Sequence, residues 1–177
     1  MAEPTIPFDE DGPVELTCGE RIPRDTFDLG LREFDCPCGD RHAVVMDVHP
    51  LGRWIPEAVG DVLREAIEPA DDYDTFQTIH LMGLIVEEYP EQVTVVDATD
   101  SPSVGYALLW VTELEARELH RIIVELLVEL MDHAVSHSED DEVHGTFTQQ
   151  LRDFDVDQFV DLYRDQRNFS DRYDRAI

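Results

Sequence analysis

The sequence contains no lysine: all 13 of its basic residues are arginines, set against 41 aspartates and glutamates. Without lysine, the chain has neither the amine of a Schiff-base enzyme nor the phosphate-binding lysine of a P-loop. The glycine-rich dinucleotide motif GxGxxG and the nucleophile motif GxSxG are also missing. The absence of lysine excludes every mechanism that depends on a Schiff-base or P-loop lysine.

Long apolar runs are missing as well. No stretch reaches the roughly 18 consecutive apolar residues of a membrane span. Residues 1–4 lack the positive charge and the apolar core of a signal peptide. With 177 residues and 42% hydrophobic residues, the chain can bury a core. We therefore expect a soluble, cytoplasmic protein of one domain, or one domain with a small appended module.

The formal net charge is −28. At low ionic strength the excess negative charges repel one another in the compact state. In molar salt the Debye length falls to about 3 Å, and this repulsion largely disappears. The acidic composition without lysine resembles that of proteins from halophiles with a salt-filled cytoplasm. The alternative is an acidic surface that attracts a basic partner, but the acids are spread over the chain, with one compact run at 138–142.

Direct binding of nucleic acid is disfavoured, because contacts with phosphates need clustered basic residues. The richest arginine region, 152–175, holds five arginines but seven aspartates. The sequence therefore predicts no nucleic-acid partner.

The pattern along the chain predicts an α+β fold. Strand-like segments at 14–18 and 42–49, with a tight turn at 36–40 between them, indicate a small zinc-ribbon-like β module over residues 1–52. Residues 20–34 read as mixed and loop-like. The remainder, 53–177, is predicted to be a mainly helical domain with one β-hairpin near 92–111. The first of its predicted helices begins near Pro56, and the other three cover about 76–89, 113–137 and 155–167.

The long predicted helix near 113–137 is apolar over more than half of its circumference and is the expected spine of the core. Thr112 is its expected N-cap, and Glu115 can complete a capping box. A homodimer that uses this helix as its seam is an alternative arrangement.

All three cysteines lie within the first 38 residues, with the spacing Cys18-x17-Cys36-x-Cys38. Thiolates on turns that contain glycine are typical of structural zinc sites. The expected fourth ligand is His42, four residues after Cys38. Three further residues are alternatives for that position: His49, Asp40 and Glu20.

This cysteine element resembles a degenerate zinc ribbon. It departs from the usual pattern because the first arm carries one cysteine and the second is compressed to Cys36-Pro37-Cys38-Gly39. Over its full length the chain resembles small, acidic, uncharacterised proteins of haloarchaea that begin with such an element. The resemblance implies a saline habitat and a zinc module, and it implies no reaction.

Other interpretations of the cysteines and histidines stay open. The thiols can pack without metal as small hydrophobes, or they can serve a redox role. A disulfide framework fits poorly with an odd number of cysteines in an intracellular chain. His133 and His137, four residues apart on the long helix, can ligate one metal with Glu129. Packing or interaction with the helix dipole explains the same pair.

The sequence thus predicts a zinc-stabilised protein-interaction or regulatory module with a protein partner and no catalytic residues. The alternative is a metal-dependent, hydrolase-like enzyme that uses His133 and His137 or an open cysteine site. Coordination separates the two, because a structural site has four protein ligands and a catalytic site keeps an open position for water. If zinc is structural, its removal should unfold mainly the first 50 residues.

Overall fold

The computed structural model describes residues 12–66, 76–98, 105–136, 153–167 and 169, without the side chains of 66 and 134–136. In this part of the chain the fold is α+β, as predicted. The strands are β1 (Val14–Glu15), β2 (Arg21–Ile22), β3 (Glu33–Asp35), β4 (Arg41–Met46), β5 (Val93–Asp97) and β6 (Leu108–Thr112). The helices are α1 (Glu57–Ala66), α2 (Thr78–Glu88), α3 (Ala116–Ser136) and α4 (Val156–Gln166). None of these helices has the length and apolar character needed to cross a membrane.

The strands form two antiparallel sheets. β1 pairs with β2, and a four-stranded sheet has the order β3-β4-β6-β5. β5 and β6 pair in register from Val93 with Thr112 to Asp97 with Leu108, so the hairpin predicted near 92–111 is confirmed. β4 lies between β3 and β6, and five of its six residues are buried. The β-branched and apolar residues of β4 and β6 suit strands with both faces covered.

The described chain divides into two compact units. The first takes in residues 12–49, 82–98 and 105–116, and the second takes in 50–66, 76–81, 117–136, 153–167 and 169. The first unit therefore includes the β5–β6 hairpin, which the sequence-based division at residue 52 assigns to the helical part. The boundary at residue 52 therefore stays a prediction. In the structure, all four strands of the larger sheet belong to the first compact unit.

The core of the first unit lies on the face of the sheet to which Val44 and Met46 belong. Alternate residues of a strand share a face, so Leu109 and Val111 on β6 and Val96 on β5 lie there too. Cys36 belongs to this core, and Cys18 packs against it. Its other members come from residues 14–34, with Ala98 and Tyr106: Val14, Leu16, Ile22, Phe27, Leu31 and Phe34. Burial in this core orients the cysteine-bearing turns.

The start of α3 differs from the prediction. Thr112 belongs to β6, where its hydroxyl donates to Ala43 O at 3.1 Å and accepts the N–H of Leu114 at 3.2 Å. The helix begins at Ala116, whose N–H is accepted by Glu33 Oε2 at 2.7 Å. The predicted capping box of Thr112 and Glu115 is therefore wrong, because the cap comes from β3, 83 residues earlier.

Segment 20–34 also differs from the predicted loop, since it contains β2, a 3₁₀ turn at Arg24–Thr26 and the start of β3. Strands of two or three residues are too short to show a periodicity. The strand predicted at 14–18 ends at Glu15, where a turn begins. The predicted last helix is confirmed, and Asp155 caps it by accepting the N–H of Gln158 at 3.1 Å.

In the second unit, polar contacts join α3 and α4 to the segment before α1. His120 on α3 lies 2.7 Å from Trp54 O, and the hydroxyl of Tyr163 on α4 donates to Ile55 O at 2.9 Å. Arg117 pairs with Asp161 at 2.8 Å. The contacts of His120 and Tyr163 satisfy the carbonyl groups of Trp54 and Ile55.

Candidate metal centre

Two hairpin tips carry the cysteines. Residues 16–20, here called the first tip turn, connect β1 to β2. The N–H of Leu16 donates to Glu20 O at 2.9 Å, and the N–H of Gly19 donates to Leu16 O at 2.9 Å. Two hydrogen bonds across five residues make a tight and well-defined turn.

Residues 36–40, the second tip turn, connect β3 to β4 with the same pattern. The N–H of Cys36 donates to Asp40 O at 2.9 Å, and the N–H of Gly39 donates to Cys36 O at 3.0 Å. Pro37 occupies the second position of this turn, where its fixed φ is favourable. The two tip turns are therefore equivalent in their backbone hydrogen bonding.

Glycine is required at the fourth position of both turns. Gly19 has φ +91° and Gly39 has φ +102°, in the left-handed region that side chains with a Cβ rarely adopt. Cys18 and Cys38 immediately precede these glycines and so occupy equivalent places. Cys36 stands at the first position of the second turn, where the first turn has Leu16.

The four predicted ligands come together. Cys18 Sγ lies 3.8 Å from Cys36 Sγ, and Cys38 Sγ lies 3.3 Å from His42 Nε2. All four ligand atoms lie within 4.8 Å of one another. A tetrahedral zinc ion separates two sulfurs by about 3.75 Å and a sulfur from a nitrogen by about 3.55 Å, given the usual bond lengths. The spacing therefore fits one ion.

The three thiols differ in their surroundings. Cys36 is buried, Cys18 is partly buried and Cys38 is exposed. Burial raises the pKa of the Cys36 thiol to about 12, although the backbone N–H of Cys38 donates to its sulfur and lowers the pKa. Cys36 is therefore protonated at neutral pH without metal, and a metal ion that binds it has to displace the proton.

His42 is the buried member of the group. It lies on β4 opposite Phe34 on β3, with ring centroids 5.5 Å apart. Its Nε2 is directed at Cys38, and its Nδ1 is buried without a hydrogen-bond partner among the described residues. With Nε2 as the ligand atom, the ring proton sits on Nδ1.

The alternative fourth ligands do not join the group. His49 Nδ1 accepts the N–H of Met46 at 3.1 Å, and neither Asp40 nor Glu20 belongs to the cluster. Across the part of the chain that the structure describes, Cys18, Cys36, Cys38 and His42 are the only set of such residues close enough to hold a metal ion.

The helical histidines do not form a site in the described residues. His133 and Glu129 are exposed on α3, and His137 lies outside the described residues. On α2, His80 Nδ1 accepts the N–H of Gln77 at 2.9 Å, and the His80 ring stacks on Phe76. His120 is buried.

The sequence predicted the four residues that the structure brings together, but not the equivalence of the two tip turns. Only part of the signal was available: the dipeptide Cys-Gly occurs at both 18–19 and 38–39, but the strands before these dipeptides are too short to be recognised from the sequence. A cysteine before a glycine at a hairpin tip marks the position from which a side chain can reach a shared ion. Cys36 has no counterpart in the first turn, which is why the cysteine spacing departs from a standard ribbon.

Residues 14–167 match a family of unknown function (DUF5815). No curated protein and no solved structure gives a significant match to the chain. The matched range includes the four clustered residues and all ten described strands and helices.

Proposed function

The chain belongs to the DUF5815 family, and we propose that it is a zinc protein in which Cys18, Cys36, Cys38 and His42 bind one ion. The proposed role is that of a zinc-stabilised protein-interaction or regulatory module. One observation carries the proposal: three sulfurs and one imidazole nitrogen from two separate hairpins lie within 4.8 Å of one another. Thiolates and imidazole are the ligands that zinc prefers.

A set of four protein ligands supports a structural site rather than a catalytic one. A catalytic zinc ion keeps one position for water, whereas four protein ligands fill a tetrahedral sphere. Among the described residues, His133 is exposed and belongs to no group of three or more potential metal ligands, which gives no support to the alternative enzyme.

The proposed zinc ion ties a weak hairpin to the sheet. β1 and β2 share only two residue pairs, Val14 with Ile22 and Glu15 with Arg21. A two-stranded hairpin of that length is not stable by itself in water. A zinc ion that joins the first tip turn to the second would hold the hairpin against the core, and this bond would contribute directly to folding.

The partner, solvent and location are part of the same proposal. A protein partner would cover half-exposed apolar side chains of the first unit, among which are Leu29, Val48 and Val95. We assign the protein to a salt-rich cytoplasm, where thiols stay reduced. A homodimer with α3 as its seam remains the alternative assembly, and light scattering in molar KCl distinguishes it from a monomer.

The test is the zinc content per chain, by elemental analysis of protein purified in molar KCl without a metal-affinity column. We expect one zinc ion per chain in the natural protein and none in Cys36→Ser. His133→Ala is the matched control, because it removes an exposed histidine outside the cluster and should keep the ion.

Cobalt(II) provides a second readout of the same site. Bound at three thiolates and one imidazole, it should show intense tetrahedral d–d bands and thiolate charge-transfer bands, both lost in Cys36→Ser. The proposal is wrong if purified protein contains no metal and Cys36→Ser folds as well as the natural chain. Metal that is lost in His133→Ala would favour the enzyme instead.

A further inference from the structure

The exposure of the three thiols is unequal in a way that a purely structural site does not need. Cys36 is buried in the core of the first unit and Cys18 packs against that core, but Cys38 is exposed. Oxidation of thiolates follows thiolate character and access. Among the three thiols, Cys38 is therefore the one that an oxidant in solution reaches most directly.

A second thiol, that of Cys18, lies near Cys38 and can act as the resolving thiol, which forms a disulfide with Cys38 after Cys38 is oxidised. Cys18 Sγ lies within 4.8 Å of Cys38 Sγ, although the two residues belong to different hairpins. A disulfide needs the two sulfurs at about 2.05 Å, so they have to move closer together. Each of these cysteines lies at a hairpin tip next to a glycine. Cys36 is the less suitable partner, because only Pro37, with its locked φ, separates it from Cys38.

We propose that Cys38 is a site of oxidation by peroxides, with Cys18 as the resolving thiol, and that this oxidation releases the metal. The inference rests on the proposed zinc site. It adds a regulatory property to it: the first tip turn is held to the second by zinc under reducing conditions and by a disulfide under oxidising ones.

The chemistry consumes one hydrogen peroxide. The Cys38 thiolate attacks one peroxide oxygen, so that an S–O bond forms, the O–O bond breaks and hydroxide leaves with a proton as water. The Cys18 thiolate then attacks the sulfur of the Cys38 sulfenic acid, so that the S–S bond forms and the S–O bond breaks, with loss of a second water after protonation. Two thiolates lose two electrons, peroxide gains them, and zinc keeps only Cys36 and His42.

The experiment treats the full-length, zinc-loaded chain with hydrogen peroxide in molar KCl. Zinc release is followed with a chromogenic chelator, and remaining thiols are alkylated before digestion with trypsin. Cleavage after arginine leaves Cys18 in the peptide that ends at Arg21, and puts Cys36 and Cys38 together in the peptide 33–41. We expect these two peptides to be cross-linked, with fragmentation placing the bond at Cys38 and the alkyl group at Cys36.

Two variants separate the roles of the thiols. Cys38→His keeps four ligands but removes the exposed sulfur, and it should release zinc at least about tenfold more slowly. Cys18→His keeps the exposed sulfur but removes the resolving one, and it should accumulate a sulfenic acid that dimedone labels at Cys38. If Cys38→His does not load zinc, the position of the disulfide in the natural chain decides.

The outcomes distinguish the two proposals. Zinc that is bound before treatment and retained in peroxide overturns the redox inference and leaves the zinc site intact. Zinc released with a bond inside the peptide 33–41, or with oxidation at Cys36 first, overturns the assignment of Cys38 and Cys18. Absence of zinc before treatment overturns the proposed function and this inference with it.

Discussion

His120 is a buried histidine held in its neutral form. Its ring is 1% exposed, and Nε2 donates to Trp54 O at 2.7 Å, which leaves Nδ1 buried without a partner among the described residues. Burial, together with the weaker effect of the positive charges of Arg164 and Arg117, lowers the pKa of His120 to about 4, although the hydrogen bond to Trp54 O acts in the opposite direction.

This depressed pKa makes stability depend on pH. The unfolded chain binds a proton at His120 near pH 6.5, whereas the folded chain binds it near pH 4. The contribution of neutral His120 to the free energy of unfolding is complete above pH 6.5. It is lost as the pH falls toward 4, by about 1.4 kcal/mol per pH unit within that window. His120→Gln keeps a donor for Trp54 O and removes the titration.

Urea unfolding in molar KCl between pH 7 and pH 5 measures this effect, because most carboxylates titrate below that pH range. We expect the natural chain to lose stability faster than His120→Gln. His133→Gln, an exposed position on the same helix, is the control and should follow the natural chain. Parallel curves for the natural chain and His120→Gln would contradict the assignment.

Individual residues were the easiest part of the site to predict. The sequence has only three cysteines, and His42 is the histidine nearest to them along the chain, so composition and spacing pointed to this set. The exposure of Cys38 was not predictable, because it depends on how the second tip turn rests on the core. The same applies to the neutral state of His120.

At the scale of elements, β3 caps α3 from a distance. Glu33 Oε2 accepts the N–H of Ala116, and Glu33 Oε1 lies 3.7 Å from Arg41 Nη1 on β4. A carboxylate at a helix N-terminus satisfies a free N–H and interacts favourably with the helix dipole. Glu33 therefore connects the β3–β4 hairpin to the start of α3.

Removal of this cap should cost measurable stability. For Glu33→Ala we expect a loss of about 1 kcal/mol in the free energy of unfolding, since the N–H of Ala116 loses its partner. Glu33→Gln should lose less, because its amide oxygen can still accept. Glu115→Ala is the control: it tests the capping box that the sequence predicted, and its unfolding midpoint in urea should match that of the natural chain.

Elements with a long pattern were predictable, and those set by distant contacts were not. The β5–β6 hairpin and α4 follow from β-branched runs, turn residues and an N-cap within a few positions. β2 and β3 are too short for a pattern, and the start of α3 is set by Glu33 rather than by local sequence. Tertiary contacts decided these elements.

At the scale of the whole molecule, the charge of −28 dominates the response to salt. Several described arginines pair with acids, such as Arg117 with Asp161 and Arg121 with Glu125, but both pairs are exposed and contribute little. The excess of unpaired negative charge repels itself in the compact state. Salt that screens this repulsion should therefore stabilise the fold.

We expect the thermal unfolding midpoint to rise steeply with KCl and to level off near molar concentration, where the Debye length is about 3 Å. Sucrose, which strengthens burial without screening, is the control and should produce a smaller, steady rise. A midpoint that does not change between low and molar KCl would refute a role for charge repulsion and for adaptation to salt.

The order in which the chain is synthesised gives the placement of the ligands a further consequence. All four lie between residues 18 and 42, whereas β4 gains its second neighbour, β6, only when residues 108–112 have been made. Proteins begin to fold from the N-terminus as they leave the ribosome. If the proposed zinc ion is bound, the nascent chain can therefore capture it before β5 and β6 of the sheet are made, and the two joined hairpins then offer a preformed edge on which these later strands assemble.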